Sequence, residues 1–163
     1  QRLAFYAFFA MVAALCLFFI REVYGLAVLL WLIGIVIASD VMGYFAGRVF
    51  GGPKFWPSVS PKKTWSGTIA GWAGAAIVGW LLSDILIAAS KGGLPLSIPV
   101  FSVLLAFAAQ MGDIVESALK RQAGIKDSSS LIPGHGGVLD RFDGMIGAAL
   151  LFLPVVFVAE VFA

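Results

Sequence analysis

Residues 23–47 read VYGLAVLLWLIGIVIASDVMGYFAG, and the only charged side chain in this stretch is Asp40. A helix needs about 20 apolar residues to cross a bilayer, so the stretch predicts a membrane-spanning helix. Four other apolar segments have a comparable length, and they cover residues 3–20, 67–89, 98–119 and 144–162. The pattern predicts an all-α, polytopic membrane helix bundle with about five spans, in a single membrane domain over residues 1–163.

The composition also favours a membrane protein. Hydrophobic residues make up 61% of the chain and charged residues 12%, whereas a soluble domain usually carries about 25% charged residues. The net charge of +2 gives no indication of a nucleic-acid partner. The single cysteine, Cys16, cannot form a disulfide within the chain. Because the chain begins with Gln1 rather than Met, we expect a fragment or a processed product of a longer protein.

Two long polar connections, 48–66 and 120–143, separate the apolar segments and carry most of the charged residues. Five spans would place both connections and the N-terminus on one side of the membrane. That side then holds nine basic residues, against Arg21 and Lys91 on the other side. The excess of basic residues on cytoplasmic loops predicts that the two connections face the cytoplasm. The nine residues are Arg2, Arg48, Lys54, Lys62, Lys63, Lys120, Arg121, Lys126 and Arg141.

The fourth apolar segment ends in polar residues at helical spacing. Asp113, Glu116, Ser117 and Lys120 lie at positions i, i+3, i+4 and i+7, so a helix places them on one face. An acidic residue at the edge of a membrane helix usually faces a cavity or a partner. The alternative, which stays open from Glu116 to Arg121, is a helix end that emerges into water.

The second segment repeats this spacing with Asp40, Gly43, Tyr44 and Gly47. Its glycines would let another backbone or a ligand approach this face closely. The alternative interpretation is a packing face that carries one paired acid.

The connection 120–143 contains four basic residues, three acidic residues and one histidine in 24 positions. It includes PGHGG at 133–137 and DRFD at 140–143. Glycines leave backbone N–H groups free to face phosphate oxygens, and Lys and Arg counter the charge of a polyphosphate. Carboxylates beside a phosphate need a cation between them, so the mixture suggests a nucleotide bridged by Mg²⁺. The alternative is a solvated loop of mixed charge.

The connection 48–66 ends in SPKKTWS at 60–66, where Pro61 fixes a turn and two lysines follow. The lysines suit either the phosphates of a ligand or anionic lipid headgroups next to the membrane. The sequence has neither the P-loop pattern nor the Cys and His spacing of a zinc site.

Several of these stretches together resemble the phosphatidate cytidylyltransferase (CDP-diglyceride synthase) family. The stretches SALKR at 117–121, KD at 126–127 and HGGVLDRFD at 135–143 resemble the 27-residue signature of that family. Residues 40–51 and SPKKT at 60–64 resemble further stretches of the family in the same order. The resemblance implies a transferase of phospholipid biosynthesis, a Mg²⁺-dependent nucleotidyltransferase that makes CDP-diacylglycerol and pyrophosphate from CTP and phosphatidic acid.

The resemblance also implies roles for individual residues. Asp113 and Asp140 would be the main metal ligands, with Asp143 beside them, and Lys120 and Arg121 would complete the catalytic group. His135, Gly136 and Gly137 would shape a phosphate-binding turn. The remaining residues would contact the nucleotide or the lipid, and they are Asp40, Tyr44, Ser60, Lys62, Lys63, Thr64, Lys126 and Arg141.

A site at the cytoplasmic ends of the second and fourth helices could receive CTP from the cytosol and phosphatidic acid from the bilayer. The loops resemble those of bacterial members, which suggests a bacterial inner membrane. Members of the family are usually longer, with further N-terminal helices, and a homodimer stays open. Two other functions also stay open: a cytidylyltransferase for another lipid phosphate, and a transporter with Asp40 and Asp113 along its pathway.

Overall fold

The structure, a computed structural model, describes residues 2–89, 94, 97–122, 124 and 139–162. Within these ranges, the side chains of residues 2–6, 9, 139–141 and 159–162 are not described. The described part is mainly helical, as the sequence predicts for a membrane protein. Its elements are α1 (Arg2–Val23), α2 (Leu26–Val49), β1 (Lys54–Trp56), β2 (Ser60–Thr64), α3 (Trp65–Leu81), α4 (Ser83–Ala89), α5 (Ile98–Gln122) and α6 (Leu139–Phe162).

Two helices in the described part, α2 and α5, are long and apolar enough to cross a membrane by themselves. The predicted span 67–89 is not one continuous helix, because α3 and α4 meet at a bend of 58°. The backbone leaves helical geometry at Leu82, and the Ser83 hydroxyl donates to the Trp80 carbonyl at 2.6 Å. Side-chain hydrogen bonds of this kind satisfy carbonyl groups where a helix ends. If the bent pair forms one span, the described part has three, and the total of about five stays a prediction.

The helices extend further into the polar connections than the sequence predicted. α5 continues through Lys120 and Arg121 to Gln122, and α6 begins at Leu139, before Asp143. Basic residues at a helix C-terminus and acidic residues at a helix N-terminus are both stabilised by the helix dipole. The charged residues therefore extend these helices, and the predicted loop bounds of 120 and 143 are wrong by several residues.

The all-α prediction also missed a small hairpin in the connection 48–66. β1 pairs with β2 in antiparallel fashion, with Lys54 opposite Thr64 and Trp56 opposite Ser60 and an irregularity between these pairs. Strands this short, without alternating apolar residues, give little sequence signal. Contacts with the next helix support the hairpin, since the Phe55 ring lies 4.7 Å from the Trp65 ring.

Glycines bring α2 and α3 into close contact, as the small residues of the third segment predicted. A Cβ atom added to Gly67 would come within 2.5 Å of the Gly43 carbonyl oxygen. A Cβ atom added to Gly71 would come within 2.9 Å of the Ser39 carbonyl oxygen. The two backbones therefore lie against each other at the end of α2 that carries its polar residues.

The aromatic core lies between α2, α5 and α6. Trp31, Phe101 and Phe152 are almost fully buried, and the Phe101 ring lies 5.7 Å from Trp31 and 5.4 Å from Phe152. Such aromatic pairs contribute about 0.5–1.5 kcal/mol beyond the burial of their area. This packing fixes α5 against α2 and α6, and it thereby sets the position of the polar residues further along α5.

Candidate active site

An ion pair joins the hairpin to α5. Lys63 Nζ on β2 lies 2.5 Å from Asp113 Oδ2 and donates to the Gln110 carbonyl oxygen at 3.4 Å. The two charged side chains are 26% and 35% exposed, so the pair is accessible to solvent. Ser117 donates a hydrogen bond to the other oxygen of Asp113 at 3.4 Å. Two stretches that lie far apart in the sequence therefore meet at one charged pair.

The hairpin is held in place by the first turn of α3. Thr64 is the N-cap residue of that helix, and its hydroxyl accepts a hydrogen bond from the Gly67 amide at 3.3 Å. Thr68 donates to the Thr64 carbonyl at 3.1 Å, and Ser66 donates to the Gly51 carbonyl. These bonds fix the backbone next to Lys63, so its ammonium group is held at α5 rather than free in a loop.

A cavity of about 350 Å³ opens beside this pair, between α2, the hairpin and α3. This volume is near the lower end for small-molecule sites. Asp40 lies within electrostatic range of Lys63 and Asp113. The predicted site residues that line the cavity are Asp40, Tyr44, Lys62, Lys63 and Thr64.

The two interpretations of the α2 face each hold for part of it. Gly43 and Gly47 pack against the start of α3, since an added Cβ would approach Gly67 and Thr64 within 3.1 and 2.9 Å. The same two glycines also line the cavity, to which Asp40 is exposed. The glycines therefore serve packing and leave space beside the acid that a ligand could fill.

Sequence reasoning missed several polar residues of the cavity lining, among them Arg48 and Gln110. Arg48 donates a hydrogen bond to the Tyr44 hydroxyl at 3.2 Å, and the spacing of four residues could have indicated this contact. Gln110 is buried and donates from its side-chain amide to the Thr68 carbonyl at 3.4 Å. A buried glutamine in an apolar helix was the available signal, but the sequence could not show which element it contacts.

A second acidic group lies where α5 meets α6. The Asp143 carboxyl group lies close to Glu116 and within electrostatic range of Asp113. Glu116 is only 2% exposed and pairs with Lys120 at 3.4 Å. The interpretation of a helix end in water is therefore wrong for Glu116, whereas Arg121 is exposed as that interpretation expects.

Several predicted residues lie away from the cavity or outside the description. Ser60 is opposite Trp56 in the hairpin and does not line the cavity. Asp140 and Arg141 lie in the first turn of α6, and their side chains are outside the described residues. Lys126, His135, Gly136 and Gly137 lie wholly outside the described residues, so their roles stay predictions.

Comparison with known proteins places the chain in a family. The model of the cytidylyltransferase family matches residues 1–159. The chain belongs to this family. It is 48% identical over 146 residues to a phosphatidate cytidylyltransferase of Brucella abortus (strain 2308), an alignment that covers 88% of this chain and 53% of that protein.

Two further relatives carry the same name. A phosphatidate cytidylyltransferase of Helicobacter pylori (strain ATCC 700392 / 26695) is 39% identical over 145 residues, covering 89% of this chain and 53% of that protein. One of Bacillus subtilis (strain 168) is 36% identical over 124 residues, covering 76% and 45%. The chain spans about half the length of the curated relatives it matches. The family resemblance seen in the sequence is thus confirmed.

The acidic residues have the donor chemistry of a Mg²⁺ site. Mg²⁺ in phosphoryl-transfer sites is held by one or two carboxylates together with substrate phosphates. Asp113 offers a partly exposed carboxylate, and the carboxyl groups of Asp143 and Glu116 lie close to each other within its electrostatic range. Among the residues with described side chains, no group of three or more His, Cys, Asp or Glu is arranged to hold a metal ion.

Proposed function

We propose that this protein transfers the CMP moiety of CTP to phosphatidic acid, giving CDP-diacylglycerol and pyrophosphate. The observation that carries the proposal is the Lys63–Asp113 pair beside a cavity between membrane helices. It brings the SPKKT stretch and the acidic end of α5 to one place in a member of the cytidylyltransferase family. The name of the bacterial relatives agrees with this reaction.

In the proposed reaction, a phosphate oxygen of phosphatidic acid attacks the α-phosphorus of CTP. The bond from that phosphorus to the bridging oxygen of the β-phosphate breaks, and pyrophosphate leaves with the electron pair. The attacking phosphate is already an anion near neutral pH, so little general-base help is needed. The main obstacle is repulsion between the two anions, which positive side chains held in position would reduce.

Among the residues with described side chains, three cations line the cavity, and they are Arg48, Lys62 and Lys63. Lys63 is held in place by Asp113, so its position is set before a substrate binds. Lys62 is exposed and can reach a phosphate that enters from solvent. Together they would hold the triphosphate and keep the attacking oxygen in line with the α-phosphorus.

We also propose that Asp113 and Asp140 hold Mg²⁺, with Asp143 as a neighbouring ligand. A bound Mg²⁺ would neutralise charge on the triphosphate and on the leaving pyrophosphate. The three aspartates would orient the ion relative to Lys63, which pairs with the Asp113 carboxylate.

The site would face the cytoplasm in a bacterial inner membrane. The nine basic residues on the side of the two long connections support this orientation, and the relatives are bacterial. CTP would then reach the site from the cytosol, while phosphatidic acid stays in the bilayer. A transporter is not favoured, because Asp113 is paired with a hairpin lysine rather than placed along a path through the helices.

The test is transfer of label from radioactive CTP into a chloroform-soluble product, using the full-length protein with phosphatidic acid and Mg²⁺. The wild type should form labelled CDP-diacylglycerol, and the Asp113→Asn and Asp140→Asn variants should lose this activity while remaining folded. Parallel assays with an isoprenoid ether lipid phosphate test the other substrate class. If a folded wild type labels no lipid phosphate at all, the proposed function is wrong.

A further inference from the structure

A second cavity lies between α5 and α6, with a volume of about 580 Å³. On α5 its lining recurs at steps of four residues, which forms one stripe along the helix. Asp113 does not belong to this stripe. The groove is defined by the large apolar residues Phe107, Met111, Val115 and Leu119 on α5 and Ile146 and Leu150 on α6.

The groove is apolar except at one end. Its only charged lining residues in the described part of the chain are Glu116 and Asp143, which lie close together near the start of α6. Lys120 brings a positive charge to this end through its pair with Glu116. Asp113 is within electrostatic range of Asp143, so the polar end adjoins the candidate active site.

Close approach of the two helices sets the floor of the groove. A Cβ atom added to Gly112 would lie 2.5 Å from the Asp143 carbonyl oxygen and 3.0 Å from the Gly147 backbone. Neither Gly112 nor Gly147 has a side chain, so no side-chain atoms fill the space beside this contact. The larger apolar residues of both helices line that space. The groove is therefore built into the packing of α5 on α6.

The length of the groove corresponds to one leaflet of a bilayer. The lining from Phe107 to Glu116, at the polar end, covers nine helical steps, or about 14 Å at 1.5 Å per residue. The hydrocarbon core of a bilayer is about 30 Å thick, so one leaflet measures about 15 Å. The groove is long enough for a lipid chain that starts at the headgroup level and extends towards the middle of the membrane.

We propose that this groove binds one acyl chain of the phosphatidic acid substrate. The inference rests on the proposed function, in which the lipid phosphate reacts beside Asp113. The acyl chains are covalently attached to that phosphate through glycerol, so they must leave the site along an apolar surface that adjoins it. The groove is such a surface, whereas the cavity beside Lys63 would require a chain to lie against Asp40 and other charged groups, which is costly.

The test compares dipalmitoyl with dioctanoyl phosphatidic acid in detergent micelles, using the full-length protein. Leu150 lies seven residues from Asp143 along α6, about 10 Å from the polar end. Leu150→Trp should fill the distant end of the groove. We expect kcat/KM for the dipalmitoyl lipid to fall about tenfold, equivalent to about 1.4 kcal/mol. The value for the dioctanoyl lipid should fall less, since its shorter chains fill less of that end, and the KM for CTP should stay within about twofold.

A second pair of variants covers the case in which Leu150→Trp does not fold. Val115 is 57% exposed on the groove, and Ile77 on α3 is 52% exposed away from both cavities. Val115→Trp should lower kcat/KM for both lipids without changing the KM for CTP, whereas Ile77→Trp should change neither.

The outcomes separate this inference from the proposed function. An active wild type whose preference between the two lipids is unchanged by Leu150→Trp would overturn the inference alone. Equal effects of Val115→Trp and Ile77→Trp on kcat/KM would also overturn it. A change of oligomeric state with unaltered lipid kinetics would overturn it too, and would indicate that another protein surface covers the groove. A folded wild type that is inactive with every lipid phosphate would overturn the proposed function and this inference with it.

Discussion

Lys63→Met removes one charge from the candidate site and leaves a side chain of similar length. The ammonium group lies 2.5 Å from Asp113 Oδ2, and both side chains are partly exposed. Exposed ion pairs are worth about 0–1 kcal/mol, so the free energy of unfolding should fall by no more than about 1 kcal/mol. The fold should therefore tolerate the change.

The effect on the reaction should be much larger. A unit charge about 4 Å from a phosphate charge contributes about 4 kcal/mol at an effective dielectric constant of about 20. Solvent screening and side-chain ordering reduce this value, and the loss of one preorganised electrostatic group from an active site costs about 2.7–4 kcal/mol. We therefore expect kcat/KM for CTP to fall about 10²- to 10³-fold.

The assay is the transfer of labelled CMP to phosphatidic acid, with thermal unfolding measured on the same preparations. Lys54→Met is the matched control, because Lys54 is exposed on the same hairpin and does not line the cavity. Lys63→Arg should recover part of the activity, since it restores the charge with a different geometry. If Lys63→Met is folded and as active as Lys54→Met, the assignment of Lys63 to the site is wrong.

Three further predictions concern the metal and the framework. Removal of divalent cations with a chelator should abolish CMP transfer, and added Mg²⁺ should restore it in the wild type but not in Asp113→Asn; full activity after chelation would contradict the metal assignment. Gly67→Ala should destabilise the protein by about 1–3 kcal/mol in thermal unfolding, because its new Cβ would press on the Gly43 carbonyl. Gly34→Ala is the control, since its Cβ would meet only Val78 at 4.0 Å, and an equal loss in both variants would refute the packing argument. Thr64→Ala should cost about 1 kcal/mol through loss of the helix cap, and an unchanged melting temperature would show that the cap does not contribute.

The sequence predicted the helical segments well because apolar length is a strong signal. Residues 23–47 and 98–119 correspond to α2 and α5 within a few positions. The bend at Leu82 was not predictable in the same way, since the residues on both sides are apolar and the break depends on backbone geometry and a serine hydroxyl. The hairpin was missed because its strands are short and carry lysines instead of alternating apolar residues.

For the candidate site, the sequence indicated which residues to consider but not which of them meet. Helical spacing correctly placed Ser117 beside Asp113, because both lie on one helix. The contact between Lys63 and Asp113 joins elements that are 50 positions apart, and spacing carries no information about such pairs. The burial of Glu116 likewise depends on α6, whose approach to α5 is set by glycines on both helices.

The same glycines that pack α2 on α3 also help to position the charged pair. Gly67 is in contact with Gly43 of α2, and its amide donates to Thr64, the residue that follows Lys63. A shift of α3 away from α2 would therefore move the backbone of β2 and carry the Lys63 ammonium group away from α5. Electrostatic stabilisation depends on groups that are held in position before the reaction, so such a shift should lower activity as well as stability. It follows that the close packing of α2 on α3 is part of the site, although none of its glycines carries a reactive group.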